Sequence, residues 1–334
     1  MQFEGSRAVQ HRTAGEAPNL SLPAPEDDVF SVIRLADLGR FLEHPAREFI
    51  RSRLGFVIPR QGEIPDDTVP TELGPLEEWQ VTDRFLAGLL SGHPIELLEA
   101  HQRAGDTVPP GDLGRAGLDR ARQRAVELWE AAREVGYDPE AHEQYVGAVR
   151  VGGRTVEGVI TADPGASRVD MVTPSRLKGK QRLRAFLQMV FLSALDPHHS
   201  WQGLLLGRHL RGDKLRSVKI GPIRGDAECR RYQAVRLLSG LVDLYVEGLT
   251  IPMPLPCETA FNWQMKVGGD LGSARKQAEK AWETDRFSPE ARDPANEFLF
   301  PHLGTMSALE RSPFPDHARR LWGPILPLLV EKSL

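Results

Sequence analysis

The feature that most constrains the fold of this chain is a change of hydrophobic period at Val146. From Val146 to Ile160 apolar and polar residues alternate, which is typical of a half-buried strand, and Gly152-Gly153 interrupts the alternation. A two-residue hairpin turn needs positive φ, which glycine adopts at little cost, so the pattern predicts a β-hairpin. After the turn at Asp163-Pro164-Gly165, the run Val169 to Val172 is predicted to continue as a strand.

A helix and a second hairpin follow this first hairpin. Residues 181–195 carry apolar side chains at three- and four-residue steps, which predicts a helix. Period two then returns on both sides of a turn at residues 211–214. Residues 226–248 are again amphipathic, with Asp226 as the predicted N-cap. The order of these elements predicts an α+β fold, in which helices flank a mixed central sheet.

The remaining segments suggest how the chain is organised around this core. Residues 1–28 combine Gly, Ser, Pro and charge without an apolar period, so we expect a flexible linker. Residues 29–145 are predicted to be helical, with the helical pattern starting at Val29. Two entry helices come first, and an inserted helical subdomain follows them. The α/β core is then expected over residues 146–300, followed by a C-terminal tail, residues 301–334.

The tail is unusually apolar for a chain end. Pro324 and Pro327 prevent a regular helix that could bury its large side chains along one stripe. These side chains must pack on this domain or on another chain, and packing on this domain is the favoured alternative. The residues are Leu321, Trp322, Ile325, Leu326, Leu328 and Leu329.

Missing motifs exclude several functional classes. The sequence contains no G-x-G, no G-x-x-x-x-G-K-[ST], no G-x-S-x-G and no H-E-x-x-H, which argues against dinucleotide, P-loop, α/β-hydrolase and zincin sites. Its two cysteines form no C-x-x-C pair. Since no window approaches the roughly 18 consecutive apolar residues of a membrane span, and no signal-peptide core occurs, we expect a cytoplasmic protein. We expect no cofactor and no bound metal.

Four stretches of the sequence resemble one family. The first is R-L-A-D-L-G-R-F-L-E-H-P-A-R-E-F-I-R-S-R-L-G, from Arg34 to Gly55. The others are E-L-G-P-L-E-E-W-Q-V near Trp79, R-A-F-L-Q-M-V-F-L-S-A-L from Arg184, and L-L-S-G-L-V-D-L-Y-V-E-G-L-T-I-P-M-P-L-P up to Pro256. In this order, over roughly residues 30–300, the sequence resembles the C-terminal domain of the exodeoxyribonuclease V gamma subunit (RecC).

The resemblance implies a restriction-endonuclease-like core, similar to that of PD-(D/E)xK nucleases, in a subunit without nuclease or helicase chemistry of its own. It implies a RecB-like helicase-nuclease and a RecD-like helicase as partners, and double-stranded DNA ends as the ligand. The large helicase-like N-terminal part of such proteins is missing from this sequence, so it does not support recognition of a guide site by this chain alone.

The residues themselves agree with an inactive nuclease fold. A nuclease of this type needs a carboxylate at a strand end and an acidic-x-Lys on the next strand to hold Mg²⁺ and steady the attacking water. No Asp or Glu precedes a lysine by two positions anywhere in the sequence. Thr161 stands where the first Asp is expected, and Thr173 and Ser175 stand at the acidic-x-Lys positions. Hydroxyl groups alone anchor Mg²⁺ poorly, so we predict no catalytic residues.

A run of cations, R-L-K-G-K-Q-R-L-R, begins the helix over residues 181–195, where positive charge opposes the helix dipole. The second hairpin adds further cations, including Lys219. The functional interpretation is contact with DNA phosphates or with an acidic partner; the alternative is a solvated basic patch. The predicted DNA-binding residues are Arg176, Lys178, Lys180, Arg182, Arg184, Arg208, Arg211, Lys214 and Arg216.

Three functions therefore remain open. The leading hypothesis is a non-catalytic scaffold and DNA-end-handling domain of a RecBCD-type helicase-nuclease in double-strand break repair. The second is an active Mg²⁺-dependent nuclease that uses a migrated set such as Asp163, Asp170 and Lys178, although a role in the turn before Pro164-Gly165 is the favoured explanation of Asp163. The third is a stand-alone DNA-binding or interaction module.

Overall fold

The structure is a computed structural model that describes residues 27–59, 73–104, 112–209, 214–285 and 289–333. The strands are β1 (Val32–Arg34), β2 (Glu143–Val151), β3 (Arg154–Ala162), β4 (Arg168–Arg176), β5 (Gln202–Arg208), β6 (Leu215–Ile220) and β7 (Leu329–Ser333). The helices up to the second hairpin are α1 (Leu35–Glu43), α2 (Pro45–Phe49), α3 (Pro75–Leu90), α4 (Ile95–Ala104), α5 (Asp112–Glu134) and α6 (Gly179–Leu195). The later helices are α7 (Ala227–Thr250), α8 (Cys257–Val267), α9 (Leu271–Glu279), α10 (Pro294–Leu299), α11 (Met306–Glu310) and α12 (Phe314–Trp322).

The strands form two mixed sheets, which confirms the predicted α+β class. One has the order β1-β3-β2 and the other β4-β5-β6-β7, with β1 parallel to β3 and β4 parallel to β5. We predicted a single central sheet. Among the described residues an isolated bridge between Asp163 and Arg168 links the end of β3 to the start of β4, and β4 then pairs with β5. The likeness of this core to a restriction endonuclease stays a prediction.

The first hairpin forms as the glycine pair predicts. Val151 lies opposite Arg154, and Gly152 adopts a φ of 60° in the turn between them. Further along the ladder Gly147 lies opposite Gly158, and a Cβ on Gly147 would come within 2.5 Å of Leu195. This close approach seats the end of α6 on the inner face of the hairpin. The N-cap predicted for α7 is also confirmed, since Asp226 accepts the backbone N–H of Cys229 at 2.8 Å.

The predicted helix at Val29 begins six residues later than expected. Val32–Arg34 forms the short strand β1, which pairs in parallel with Thr155 to Glu157 of β3. Three residues are too few to show period two, and their apolar spacing also fits a helix. Pairing with the sheet decides the conformation, and α1 starts at Leu35.

Two hydrophobic cores organise the described part of the chain. The main core joins the two sheets with α1, α2, α6, α7 and the C-terminal helices. A second core consists of α3 and α5 together with Leu206 from β5, while Val172 and Leu215 pack against its edge. The helical subdomain α3–α5 is therefore attached to one face of the four-stranded sheet. The predicted linker, residues 1–28, lies outside the described residues except for the turn that begins at Asp27.

The C-terminal tail packs on this domain, as the favoured alternative predicted. Leu321, Trp322 and Ile325 are fully buried in the main core, and three further tail leucines, Leu326, Leu328 and Leu329, pack against it partly buried. The end of the tail forms β7, which pairs antiparallel with β6 and which the sequence did not predict. The prolines stop α12 but do not prevent an edge strand after them.

Candidate nucleic-acid interface

Predicted DNA-binding residues meet where the four-stranded sheet ends. Arg176, the last residue of β4, lies directly opposite Arg208, the last residue of β5. Beyond them the backbone N–H of His209 donates to the carbonyl of Lys214 at 2.8 Å, which closes the second hairpin. The side chains of Arg176 and Lys214 are exposed and that of Arg208 is half-buried. The sheet register therefore brings the last residues of β4 and β5 and the residue that precedes β6, all three of them cations, to one end of the sheet.

Two lysines at the start of α6 lie next to this end of the sheet. Lys178 is the N-cap residue, and its backbone N–H donates to the side-chain oxygen of Gln181 at 3.1 Å. Its ammonium lies 3.8 Å from Asp285. Lys180 is exposed and makes no hydrogen bond or ion pair within the described part of the chain.

Carboxylates from the C-terminal half compensate the positive charge at the N-terminus of α6. Glu258 of α8 accepts the backbone N–H of Gly179 at 2.5 Å. Burial raises the pKa of Glu258 and the nearby Glu290 raises it further, while the Gly179 hydrogen bond and the charges of Lys178 and Arg182 lower it. The net shift is upward. Asp285, in the segment that follows α9, and Glu258 of α8 thus partly offset the charge of Lys178, whereas Lys180 lies outside these contacts.

Arg182 does not belong to this surface, which corrects its place in the predicted set. Its side chain is 1% exposed, donates to the carbonyl of Leu177 and lies over the ring of Phe261, with 4.9 Å between the guanidinium carbon and the ring centroid. The period of the helix places Arg182 on the inner face of α6. The run of alternating cations in the sequence does not reveal this orientation. A DNA phosphate has no access to it.

Two other predicted residues take different positions, and a third is not among the described residues. Arg184 is exposed, but both ends of its guanidinium donate to Glu43 of α1, at 2.9 and 2.8 Å. Arg216 pairs with Gly207 in the ladder, so it lies on the opposite face of the sheet from Arg208. Arg211 lies outside the described residues. The predicted set is therefore divided between one surface, the protein interior and the second face of the sheet.

A groove of about 750 Å³ separates the helical subdomain from the end of the sheet, and Arg208 lines it. Arg120 and Arg124 of α5 line the same groove, where the buried carboxylate of Glu78 holds both of them. Trp79 of α3 is 37% exposed at the groove. Our sequence reasoning missed these residues, although the arginine-rich sequence of α5 was a visible signal. Cations beside an exposed indole are the groups that contact phosphates and stack on bases.

The positions that would carry an acidic-x-Lys motif hold hydroxyl groups that bond within the protein. The backbone N–H of Ser175 donates to the hydroxyl of Thr173 at 3.2 Å. The indole N–H of Trp79 donates to the hydroxyl of Ser175, also at 3.2 Å. Thr161 is exposed on β3. These three side chains offer no carboxylate to a metal ion.

The carboxylates of the alternative nuclease site have structural partners. Asp163 is 5% exposed and accepts the backbone N–H of Ala166 at 3.0 Å within the turn before β4. Asp170 is buried against Arg168, with 2.6 Å between Oδ1 and Nε, and against His142, with 3.1 Å between Oδ2 and Nε2. Burial raises the pKa of Asp170, and the charges and hydrogen bonds of Arg168 and His142 offset part of that rise.

This Asp170 cluster fastens the helical subdomain to the sheet. The guanidinium of Arg168 donates to the carbonyls of Val135 and Gly136, each at 2.9 Å, just after the end of α5. The ring of Tyr137 packs on His142 with 4.7 Å between centroids. Asp170 therefore orients the arginine that holds the end of α5.

Asp163, Asp170 and Lys178 are not brought together as the alternative nuclease hypothesis requires. Asp170 lies opposite Leu204 and Arg176 lies opposite Arg208, four steps or roughly 13 Å further along the sheet, and Lys178 follows beyond. The ammonium of Lys178 lies beside Asp285, whereas the carboxylate of Asp170 lies against Arg168 and His142. Within the described ranges, no three His, Cys, Asp or Glu side chains form a group that could bind a metal ion.

Comparison with known proteins gives one consistent family. Residues 31–267 match the RecC C-terminal domain. The chain is 32% identical over 320 residues to the RecBCD enzyme subunit RecC of Mycobacterium tuberculosis (strain H37Rv), covering 91% of this chain and 28% of that protein. It is 32% identical over 261 residues to the RecBCD enzyme subunit RecC of Mycolicibacterium smegmatis, covering 78% and 22%. The chain thus spans about a quarter of the length of these relatives. Among the helices of the described residues, none has the length and hydrophobicity to cross a membrane.

Proposed function

Because the chain belongs to the RecC family, we propose that it is a non-catalytic scaffold and DNA-end-handling domain of a RecBCD-type helicase-nuclease that acts in double-strand break repair. The observation that carries this proposal is that β4 has hydroxyl side chains where an active nuclease would have an acidic residue and a lysine. Thr173 and Ser175 occupy the positions of an acidic-x-Lys motif, and Trp79 of the helical subdomain is hydrogen-bonded to Ser175. Because these side chains are hydrogen-bonded within the protein and carry no metal-binding carboxylate, the arrangement supports a role in positioning other molecules and not in cleaving DNA.

The DNA-handling part of the proposal is supported by the exposed end of the four-stranded sheet. We define the sheet-end surface as Arg176, Lys178, Lys180, Arg208 and Lys214. Arg176 and Arg208 are direct cross-strand neighbours, so positive side chains from two strands lie side by side at this end of the sheet. A phosphate backbone laid across this end would contact several of these cations, and the release of counterions would make binding depend on salt. Arg182 and Arg184 have internal partners and are not part of the proposed surface.

The scaffold part of the proposal concerns partners. We propose a RecB-like helicase-nuclease subunit and a RecD-like helicase subunit as the proteins that this domain holds in the cytoplasm. The family supports this, because the relatives named above are subunits of RecBCD enzymes. The helicase and nuclease chemistry would then belong to the partners, and this chain would need no cofactor of its own.

The test is co-expression of the chain with RecB-like and RecD-like subunits from one genome. The proposal predicts that the three proteins purify as one complex, and that its nuclease activity disappears when the nuclease site of the RecB-like subunit is mutated. Failure of the chain to join either subunit, while it still binds DNA alone, would favour the stand-alone DNA-binding module. Residual nuclease activity that depends on Asp163 or Asp170 would favour the alternative nuclease.

A further inference from the structure

A second groove, of about 720 Å³, lies far from the sheet-end surface. It runs between α7, the turn at residues 221–224 that follows β6, and the C-terminal tail. Lys214 precedes β6 and Gly221 follows it, so the groove and the sheet-end surface lie at opposite ends of a strand roughly 20 Å long. Aliphatic side chains and prolines form its floor, among them Leu237, Leu241, Leu321, Pro324 and Leu328.

Helix α7 presents one continuous stripe to this groove. Its lining residues follow the spacing i, i+3, i+4, i+7 and i+8, which places them on one face of a helix. They are Gln233, Arg236, Leu237, Gly240 and Leu241. The N-terminal part of the stripe is polar and positively charged, with Gln233 and Arg236. The C-terminal part, Leu237, Gly240 and Leu241, carries no polar side chain.

Gly240 belongs to this stripe, and no neighbour in the described part of the chain lies close enough to require a glycine there. A glycine in a helix interior costs about 1 kcal/mol relative to alanine, so it persists where something approaches closely. Gly248 on the same helix has such a reason, because a Cβ there would lie 2.2 Å from the ring of Phe41. A Cβ on Gly240 would meet nothing within 4 Å. The open space above Gly240 therefore fits the close approach of a second molecule.

The charged side chains described at the rim of the groove are all positive. Arg224, Arg236 and Arg320 line it, and none of the described lining residues is Asp or Glu. Arg320 binds Glu247 at 2.7 Å. Arg224 and Arg236 are exposed and make no ion pair within the described part of the chain. An aliphatic floor under unpaired arginines complements a ligand with aliphatic side chains and carboxylates.

We propose that this groove binds an acidic amphipathic segment of a partner protein. Its aliphatic side chains pack on Leu237 and Leu241, its carboxylates pair with Arg224 and Arg236, and its backbone passes over Gly240. A nucleic acid fits less well, because stacking on bases requires exposed aromatic rings, and Phe186, the aromatic residue among the described lining residues, is only 1% exposed. The inference deepens the scaffold role proposed above, since it assigns a partner-binding surface and leaves the sheet-end surface to DNA.

The experiment measures binding of a fluorescein-labelled synthetic peptide by the purified full chain. The peptide repeats the heptad L-E-E-L-L-E-A, and a reference peptide carries Lys in place of each Glu. The acidic peptide should bind and the basic one should not. Gly240→Met fills the space above α7 and should weaken binding by about tenfold or more, whereas Gly240→Ala adds a single carbon and should weaken it less. Neither variant should lower the melting temperature, because alanine and methionine favour helix over glycine.

Matched controls separate the groove from general effects. Gly268→Met places the same side chain at another exposed glycine with nothing within 4 Å of its Cβ, and it should bind like the parent. Arg224→Glu with Arg236→Glu should weaken acidic-peptide binding by about tenfold, as the loss of two charge-assisted contacts predicts. The proposal is overturned by failure of the acidic peptide to bind, by parental affinity in Gly240→Met, or by equal binding of the basic peptide.

Duplex DNA serves as the third probe. Its affinity should be unchanged in Gly240→Met, because the groove and the sheet-end surface are separate. If Gly240→Met weakened DNA binding and left peptide binding intact, the groove would be a nucleic-acid site and the proposal would be wrong. Loss of DNA binding in sheet-end variants has no bearing on the peptide result, so failure of the DNA-handling proposal and failure of this inference are distinguishable.

Discussion

The indole nitrogen of Trp79 lies 3.2 Å from the hydroxyl oxygen of Ser175, so the helical subdomain is hydrogen-bonded to the strand position where an acidic-x-Lys motif would place its lysine. The same subdomain is held a second time through Arg168, which binds the carbonyls at the end of α5. Arg168 lies two positions before Asp170 on β4, so these two side chains share one face of the sheet. The face is therefore occupied by structural contacts rather than by an assembled metal site.

The first prediction concerns chemistry. The purified chain should degrade neither duplex nor single-stranded DNA with Mg²⁺ or Mn²⁺, and should not hydrolyse ATP, because the sequence contains neither an acidic-x-Lys motif nor a P-loop motif. Gel assays with labelled DNA and a phosphate-release assay check this. Asp170→Asn should lower stability by about 1 to 3 kcal/mol, since it weakens the buried pair with Arg168. Nuclease activity that disappears in Asp163→Ala protein would contradict the scaffold proposal.

The second prediction concerns the sheet-end surface. Reversing Arg176, Lys180 and Lys214 to Glu should weaken binding of duplex DNA at low salt. The slope of log affinity against log salt should fall by about 0.9 for each phosphate contact that is lost. Fluorescence anisotropy across a salt series measures both quantities. The melting temperature should stay within a few degrees of the parent, because exposed charges contribute little to stability.

A second triple variant controls for net charge. Arg150→Glu, Lys266→Glu and Lys276→Glu change the charge equally at exposed positions on β2, α8 and α9. DNA affinity in this variant should stay close to the parent's. If the two triple variants lose affinity equally, the sheet-end surface is only a solvated basic patch and net charge alone accounts for binding.

Much of the fold follows from local sequence signals. The Gly152-Gly153 hairpin, the helix α6 and the Asp226 cap of α7 all depend on period, turn chemistry and capping within a few residues. The strand β1 was missed because it is too short to show a period, and its conformation depends on pairing with β3, which lies more than a hundred residues away. The pairing of β7 with β6 is equally non-local.

The candidate site was predictable only in part. Arg176 and Arg208 were correctly selected as cations, but their adjacency arises from the parallel register of β4 and β5. Arg182 was misplaced because the sequence run shows charge without showing which side of α6 faces Phe261. Trp79 reaches Ser175 across 96 residues of sequence, and no local pattern encodes that contact.

The third prediction contrasts the two arginines of α6 that have internal partners. Arg182→Leu should lower the free energy of unfolding by about 2 to 4 kcal/mol, since it leaves the carbonyl of Leu177 unpaired in the core and removes the contact with Phe261. Arg184→Leu should cost at most about 1 kcal/mol, because its pair with Glu43 is exposed. Urea denaturation of both variants provides the comparison. Equal costs would show that Arg182 is not buried as described.

The fourth prediction concerns the C-terminal tail. Deleting residues 319–334 removes β7 and the fully buried Leu321, Trp322 and Ile325, so the isolated domain should be strongly destabilised. Because the deletion protein could fail to fold, single substitutions provide the measurement. Trp322→Ala should cost about 3 to 5 kcal/mol, whereas Val330→Ala, at a residue that is 52% exposed, should change stability by less than about 0.5 kcal/mol. In an assembled complex we also expect the deletion to weaken subunit association.

The last prediction concerns Asp293, which joins α2 to the start of α10. Its carboxylate binds Arg47 at 2.7 Å and His44 at 3.1 Å, and accepts the backbone N–H of Ala295 at 3.0 Å. Burial alone would raise the pKa of Asp293, but the hydrogen bond of His44 and the charges of His44 and Arg47 outweigh it and lower the pKa to about 2. The folded state therefore binds this proton less readily than the unfolded chain, whose Asp pKa is about 3.9.

A lowered folded-state pKa stabilises the protein above the unfolded value, and this stabilisation is lost as the pH falls from about 4 through about 2. Asp293→Asn retains a side-chain oxygen for the Ala295 N–H but loses the charge. At pH 7 it should lower the free energy of unfolding by about 1 to 2 kcal/mol, after allowance for partial exposure. Urea denaturation at a series of pH values should show the gap between parent and variant closing between pH 4 and pH 2. A gap that stays constant across that range would show that the Asp293 charge does not stabilise the contact between α2 and α10.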